Sequence, residues 1–249
     1  MIQKKQLLIA NWKTYVSSIV EMDAKVKEIN DNSYHSNVEL IICPSSVYLS
    51  KAIECIDNKS VVIGSQNLSS SSKDGGTGEL MATMIRDLGC KYSILGHSEV
   101  RKRYNESSFT VSKKSLIALK NNIVPIICIG ESLENRVEGD YISFLVNQTI
   151  ESLPKSSTIN NNIIIAYEPI WSIGTGLVPS IDQIQEVIDA LRSIPLLDCM
   201  FVYGGSVNED NISTISKVRF LDGVLVGRAS VSILKLSSIA HKLSKKIVV

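Results

Sequence analysis

Residues 163–169 have the sequence Ile-Ile-Ile-Ala-Tyr-Glu-Pro, an unbroken apolar run that ends at a carboxylate and a proline. A continuous run of this kind is typical of a strand buried on both faces, as parallel strands are. Similar short runs recur along the chain at Leu7 to Ala10, Leu40 to Cys43, Val61 to Ile63, Tyr92 to Leu95, Val124 to Ile129, Met200 to Tyr203 and Val224 to Val226. Together the runs predict a parallel sheet.

The segments between the runs have helical spacing of apolar residues. Two examples are Val111, Ser115, Ala118 and Leu119, and Ile181, Ile184, Val187, Ile188 and Leu191. Pro179 and Ser180 mark the start of the second helix, and Pro195 follows its end. Strand and helix alternate about eight times, which predicts an α/β fold and matches a single-domain (β/α)8 barrel over residues 1–249. A doubly wound sheet gives the same alternation and stays open on this evidence.

Charge and composition exclude several functional classes. The chain has 26 Lys plus Arg against 25 Asp plus Glu, a formal net charge of +1. This balance gives no overall electrostatic reason to bind nucleic acid or an anionic membrane. With 44% hydrophobic residues in 249, the chain is also expected to fold rather than to remain disordered.

The cysteine pattern and the hydropathy favour a cytoplasmic protein. The five cysteines are widely spaced and include no Cys-x-x-Cys pair, so a disulfide framework or zinc ribbon is not expected. Cys43 and Cys128 lie within apolar runs and are interpreted as small hydrophobic residues. Residues 7–10 are too short for the core of a signal peptide, and no stretch is long enough to span a membrane.

Polar residues interrupt several runs at their C-terminal ends. In a (β/α)8 barrel those ends carry the catalytic groups, and the loops after strands 7 and 8 commonly bind phosphate. Runs one, four and six lead into Asn11-Trp12-Lys13, Gly96-His97-Ser98-Glu99 and Glu168-Pro169. Glycine-containing segments follow runs six to eight: Gly174-Thr175-Gly176, Gly204-Gly205-Ser206 and Gly227-Arg228-Ala229-Ser230. Because glycine lets backbone N–H groups approach an anion, the coincidence predicts a functional site with a phosphate-binding side.

Nucleotide-binding alternatives lose support, because neither Gly-x-Gly-x-x-Gly nor a Walker A pattern follows any run. The chain instead resembles the triosephosphate isomerase family along nearly its whole length. The resemblance is carried by Asn11-Trp12-Lys13, Gln66-Asn67, Gly96-His97-Ser98-Glu99, Cys128-Ile129-Gly130-Glu131, residues 166–171 (Ala-Tyr-Glu-Pro-Ile-Trp), residues 173–176 (Ile-Gly-Thr-Gly), residues 203–207 (Tyr-Gly-Gly-Ser-Val), and Asp222-Gly223 through Val226-Gly227.

The resemblance implies a TIM barrel that interconverts dihydroxyacetone phosphate and D-glyceraldehyde 3-phosphate. It implies that Glu168 is the catalytic base and that His97 is the electrophile, a neutral imidazole whose pKa is depressed by the following helix. Lys13 is expected to stabilise the developing oxyanion, and Asn11 to orient substrate oxygens. Glu99 is interpreted either as a supporting residue or as an acidic residue that suits the first turn of a helix.

The resemblance also implies a closing lid over 169–176 and a phosphate site formed by the N–H groups of Gly174, Ser206, Gly227 and Arg228. No metal or organic cofactor is required by this chemistry. The 70–79 loop matches a segment that joins two subunits into a homodimer, with Thr77 reaching the neighbouring active site. Taken alone, the serine-rich start of that loop is equally well a surface turn.

Four positions depart from the family pattern. Arg228 replaces a glycine, and its side chain is expected to point outward; Gly76 replaces an aromatic residue, which predicts a weaker dimer. Val100 replaces the first of two arginines, which puts one supporting ion pair in doubt, and Ser172 replaces alanine in the lid. Two other functions stay open: a non-catalytic phosphate-sugar-binding or interaction protein, and an isomerase for a larger phosphorylated substrate.

Overall fold

The computed structural model describes residues 5–72, 76–155, 163–173, 175, 177–195 and 199–245. Parallel strands form a closed barrel in sequence order, and the first strand also pairs with the last. The strands are β1 (Gln6–Asn11), β2 (Val38–Cys43), β3 (Val61–Ser65), β4 (Tyr92–Leu95), β5 (Val124–Ile129), β6 (Ile164–Tyr167), β7 (Met200–Tyr203) and β8 (Gly223–Val226). The predicted (β/α)8 barrel is confirmed, and the doubly wound sheet is excluded.

Helices connect the strands around the outside of the barrel. They are α1 (Ile19–Asn30), α2 (Leu49–Cys55), α3 (Ala82–Leu88), α4 (Ser98–Tyr104), α5 (Ser108–Lys120), α6 (Leu133–Glu138), α7 (Tyr141–Ser152), α8 (Ile181–Arg192), α9 (Ile212–Ile215) and α10 (Ile233–Ser244). The two helices predicted from apolar spacing are α5 and α8. As predicted, α8 begins after Ser180, whose side chain accepts the N–H of Gln183 in a capping box.

The strand pleat sorts the apolar side chains into two cores. Along β1, Leu7 and Ile9 pack inside the barrel, whereas Leu8 and Ala10 pack against the surrounding helices. The same alternation in β6 puts Ile164 and Ala166 inside the barrel. Because side chains alternate along a strand, the next inward positions are Asn11 and Glu168, at the C-terminal end of the barrel. The pleat that fills the core therefore also aims two polar side chains at the barrel mouth.

The helices of the described segments include none that is both long and apolar enough to cross a membrane.

Candidate active site

His97 and Glu168 meet at the mouth of the barrel. His97 follows β4 by two residues, and Glu168 comes directly after β6. Both are buried, and Nε2 of His97 lies 3.3 Å from Oε1 of Glu168. The structure therefore brings together the two residues that the sequence predicts as base and electrophile.

The backbone before α4 fixes the imidazole. Gly96 has a φ of +66°, which favours glycine, and turns the chain so that His97 becomes the N-cap of α4. Nδ1 of His97 accepts the backbone N–H of Glu99 at 3.2 Å. A neutral ring that accepts at Nδ1 carries its proton on Nε2, the atom that faces Glu168. The helix expected to follow His97 is confirmed as α4, which begins at Ser98.

The pKa of His97 differs from the sequence prediction. Burial lowers it, but the charge and the hydrogen bond of Glu168 oppose burial and raise the pKa above its ordinary value of 6.5. The prediction considered the helix N-terminus and did not include a carboxylate in contact with the ring. The expected depression is therefore wrong for the arrangement in which Glu168 faces His97.

The space for the Glu168 side chain depends on a neighbouring glycine. A β-carbon on Gly204 would lie only 2.8 Å from Cγ of Glu168. Oε2 of Glu168 is buried and has no hydrogen-bond partner among the described residues. Burial, then the charge of Glu168 and a hydrogen bond to it, raise the pKa of the Cys128 thiol well above its ordinary value. Glu168 thus has an oxygen without a fixed donor, beside a thiol that stays protonated.

Lys13 is held in an unusual backbone conformation beside this pair. Its φ is +46°, and it is fixed by bonds from its N–H to Oδ1 of Asn11 and from Nε2 of Gln66 to its carbonyl. Nζ of Lys13 lies 2.7 Å from Oε1 of Glu99. Although partial burial raises the pKa of Glu99, bonding to Lys13 outweighs it and the pKa lies below the ordinary value. A left-handed lysine is a strained conformation of the kind concentrated at functional sites.

Those predicted phosphate-binding residues that the structure describes lie on the same rim of the barrel. Ser206 has a φ of +47°, and its Oγ donates to the carbonyl of Ser172 at 2.6 Å. Gly227 lies close to Lys13, since a β-carbon there would be 3.8 Å from Cε of the lysine. Gly174 lies outside the described residues.

Arg228 begins a short 3-10 helix, Arg228–Val231, and it is not among the described residues with positive φ. The backbone therefore does not require glycine at this position. Its guanidinium stacks on the exposed ring of Tyr15, 4.9 Å from the ring centroid. The side chain points outward, as predicted.

Glu131 is a residue of this region to which the sequence analysis gave no function. Its fully buried carboxylate accepts bonds at Oε1 from Tyr167, from the indole N–H of Trp171 at 2.8 Å, and from Arg136 at 3.4 Å. Trp171 belongs to the 3-10 helix Ile170–Ser172, in the predicted lid. The sequence contained a signal for this residue, because Glu131 ends the motif Cys128-Ile129-Gly130-Glu131 and follows β5 as Glu168 follows β6.

The Val100 departure leaves the neighbouring arginine fully engaged. Arg101 donates from Nε to the carbonyl of Gly96 at 2.8 Å and from its Nη atoms to Ser108, Ser152 and the carbonyl of Cys128. Nearby, Lys114 forms a buried pair with Glu106, whose Oε2 has no partner in the described part of the chain. Val100 and Glu106 both line one groove.

That groove has a volume of about 770 Å³ and extends from Asn11, Lys13 and His97, which the sequence predicts as site residues, to Glu106 and Lys114. Thr77 and Gly76 are exposed on the 70–79 loop, of which residues 73–75 are not described. Within the segments described, no group of three or more His, Cys, Asp or Glu residues is arranged to hold a metal ion.

A closed (β/α)8 barrel with a buried imidazole–carboxylate pair and a lysine at its C-terminal rim defines an enzyme of the TIM-barrel class, equipped for acid–base chemistry. Its sequence matches the family model described as triosephosphate isomerase over residues 6–243. The chain belongs to the triosephosphate isomerase family.

Curated relatives agree over most of both chains. The triosephosphate isomerase of Ehrlichia chaffeensis is 38% identical, covering 91% of this chain and 92% of the relative. That of Mycoplasmopsis pulmonis is 36% identical, covering 92% and 94%. The enzyme of Neurospora crassa is 38% identical, covering 84% and 88%.

Proposed function

We propose that this chain interconverts dihydroxyacetone phosphate and D-glyceraldehyde 3-phosphate by proton transfer through an enediolate. Family membership supports the reaction. The observation that carries the proposal to particular residues is the buried contact of 3.3 Å between His97 Nε2 and Glu168 Oε1. A base and a proton donor this close can serve adjacent carbon and oxygen atoms of one small substrate.

Glu168 is the proposed base, which takes a proton from the carbon beside the carbonyl and returns it to the neighbouring carbon. This assignment follows the chemistry established for the family. The buried Oε2 has no described donor, so few bonds must break when the carboxylate moves from His97 to the substrate. A site closed to water strengthens a carboxylate as a base, because the charge loses its hydration.

His97 is the proposed electrophile, which donates from Nε2 to the substrate oxygens. When Glu168 leaves His97 for the substrate carbon, the group that raises the pKa of the imidazole moves away. Burial and the Glu99 N–H at Nδ1 then both favour the neutral ring. The movement of Glu168 therefore leaves His97 neutral and able to donate a proton to the oxygens of the enediolate.

Lys13 and Asn11 are proposed to bind the substrate oxygens, and Lys13 supplies the positive charge that stabilises the enediolate. Glu99 is proposed as a positioning residue, since it contacts both Lys13 Nζ and His97 Nδ1 through its side chain and backbone. The phosphate is proposed to bind the N–H groups of Gly174, Ser206, Gly227 and Arg228, with the lid over 169–176 excluding water.

A homodimer is proposed as the functional unit, with Thr77 of the 70–79 loop approaching the partner's Asn11 and Lys13. Exposed apolar side chains support this proposal, because Val47 and Tyr104 are 77% and 69% exposed on the 3-10 helix Ser46–Tyr48 and on α4, which line the groove through Ser46 and Tyr104. No second candidate function is favoured by a specific observation.

We propose a cytoplasmic location and one domain over 1–249. Buried free thiols at Cys43, Cys90 and Cys128 support a reducing compartment, and burial raises the pKa of Cys90 to about 11. Such thiols stay protonated and pack as small hydrophobic groups.

The test is an isomerisation assay in both directions with wild-type protein and His97→Gln. Turnover by the wild type and a kcat about 10²–10⁴-fold lower in the variant are expected, since one general acid contributes that much. His241→Gln is the matched control, because His241 is exposed on α10. A wild type that binds the substrates without turnover would favour the non-catalytic binding protein instead.

A further inference from the structure

Two of the three histidines in the chain meet far from the active site. His35 lies in the loop between α1 and β2, and His241 lies in the last turn of α10. Nε2 of His35 is 3.0 Å from Nδ1 of His241, and the ring centroids are 5.1 Å apart. Both side chains are exposed to solvent. This pair lies near the start of β2, at the end of the barrel opposite the His97 site.

The two rings are mounted on segments that are bonded to each other. The carbonyl of His35 accepts the N–H of Val38 at the start of β2. Nδ2 of Asn37 donates to the carbonyl of Ser244 at 2.8 Å, and Oγ of Ser244 donates to the carbonyl of His241 at 2.8 Å. The loop and the helix end are therefore docked together by bonds that do not involve the rings, so the ring nitrogens are held near each other before any ligand binds.

The separation of the ring nitrogens suits one metal ion bound between them. Metal–imidazole bonds are about 2.0–2.1 Å long, so two nitrogens 3.0 Å apart subtend an angle of about 94° at the metal. Adjacent positions of a square-planar or tetragonal ion are about 90° apart, whereas tetrahedral Zn²⁺ prefers a wider angle. We propose that His35 and His241 form a two-imidazole site for a divalent transition-metal ion of tetragonal preference, Cu²⁺ or Ni²⁺.

Binding requires both facing nitrogens to present lone pairs. In the metal-free pair, one facing nitrogen donates the hydrogen bond and the other accepts it. The donating ring must move its proton to its other nitrogen, which both histidines can do at no cost in charge. No third His, Cys, Asp or Glu joins the pair within the described segments, so water completes the coordination. Because the pair is exposed at the end of the barrel opposite His97, a bound ion would be separate from the isomerase site and could exchange with solvent.

The experiment is a calorimetric titration of untagged protein with Ni²⁺, in a Cys55→Ser background that removes the exposed thiol. We expect saturable binding of one ion per chain in the parent protein. His35→Gln and His241→Gln should each weaken binding by about tenfold or more, since each removes one of two imidazole ligands. His97→Gln, which removes the third histidine, should bind Ni²⁺ as the parent does.

Electron paramagnetic resonance with Cu²⁺ gives an independent measurement, in which coupling to two equatorial nitrogens is expected for the parent and to at most one for either surface variant. Isomerase turnover should be unchanged in both surface variants, which also proves that they fold. Absence of binding at millimolar Ni²⁺, or equal affinity in parent and both surface variants, would overturn the proposal.

Discussion

Glu168 and Asp222 are buried carboxylates at opposite ends of the barrel, and their surroundings differ. Asp222 precedes β8, and its Oδ2 accepts the N–H of Phe201 at 2.8 Å and Nη2 of Arg192 at 3.0 Å. Its carbonyl also accepts the N–H of Leu7, so it joins β1, β7 and β8. Glu168 contacts His97 through Oε1, whereas Oε2 has no bond to the described residues. One carboxylate is bonded into the sheet, and the other is the proposed catalytic base.

The difference explains how one barrel combines stability with reactivity. A bonded charge at the N-terminal end of the strands stabilises the closure of the sheet, because its desolvation is offset by donors. At the C-terminal end, Oε2 of Glu168 has no donor among the described residues, and two neighbouring residues, Lys13 and Ser206, have left-handed backbone. Such strain is tolerated where the surrounding structure holds it.

The strongest test of the comparison is Glu168→Gln. The amide keeps the shape but cannot act as a base, so kcat should fall by about 10²–10⁴-fold. The midpoint of thermal unfolding should stay near the wild-type value at a pH above the raised pKa of His97, where the ring is neutral and no ion pair with Glu168 is lost. Glu138→Gln, on the exposed end of α6, is the matched control. Undiminished turnover in Glu168→Gln would contradict the assignment of the base.

Asp222→Asn should give the opposite result. The amide oxygen can still accept the N–H of Phe201, but the ion pair with Arg192 is lost, at a cost of about 2 kcal/mol in the free energy of unfolding. Urea unfolding measures this loss, and kcat should stay within about twofold of wild type because the site is at the other end. Asp140→Asn, whose side chain makes no cap bond, is the control. A wild-type unfolding midpoint would show that Asp222 does not stabilise the barrel.

The pKa of His97 reports on the charge of Glu168 at the C-terminal end of the barrel. The raised pKa arises from Glu168, so Glu168→Gln should lower it, as measured by NMR titration of the imidazole. A raised pKa contributes stability that is fully present below the ordinary value of 6.5 and is lost as pH rises through the folded value. The difference in unfolding free energy between wild type and Glu168→Gln should therefore become smaller as the pH rises. An equal or higher pKa in the variant would contradict the role given to the carboxylate.

The smallest expected effect concerns Ser172, which replaces alanine of the family pattern. A β-carbon on Gly205 would lie 2.7 Å from Oγ of Ser172 and 2.3 Å from the hydroxyl of Tyr203, so the two hydroxyls border the same small space. Ser172→Ala should change the free energy of unfolding by less than about 1 kcal/mol, because the lid keeps the bond from Ser206 to the Ser172 carbonyl. Urea unfolding and KM measurements check this, and a change in KM without a change in stability would assign the hydroxyl to lid position.

The elements were largely predictable from local sequence. The runs at Tyr92, Val124 and Met200 coincide with β4, β5 and β7, because strands buried on both faces have few polar residues. The ends of β1 were missed, since Gln6 and Asn11 continue the backbone pairing although their side chains are polar. Asn11, Lys13, His97 and Glu168 were proposed on a family resemblance and on their place after strands, and the fold brings them to one rim.

What the sequence could not provide was the environment of each charge. Glu131 and Glu168 both follow apolar strands, yet one accepts three donors and the other faces an imidazole. Likewise, the sign of the pKa shift of His97 depends on the carboxylate 71 positions later in the chain, in contact through the barrel.

Local sequence was enough for the alternation of strands and helices and for the residue types that follow each strand, because apolar periodicity and strand ends are local properties, whereas the choice of a closed barrel over a doubly wound sheet was not local. Tertiary structure alone decided that Glu168 contacts His97, that Asp222 is bonded into the sheet, and that His35 meets His241. These pairings join residues far apart in the chain, and electrostatic energies depend on distance and burial, which no local pattern encodes.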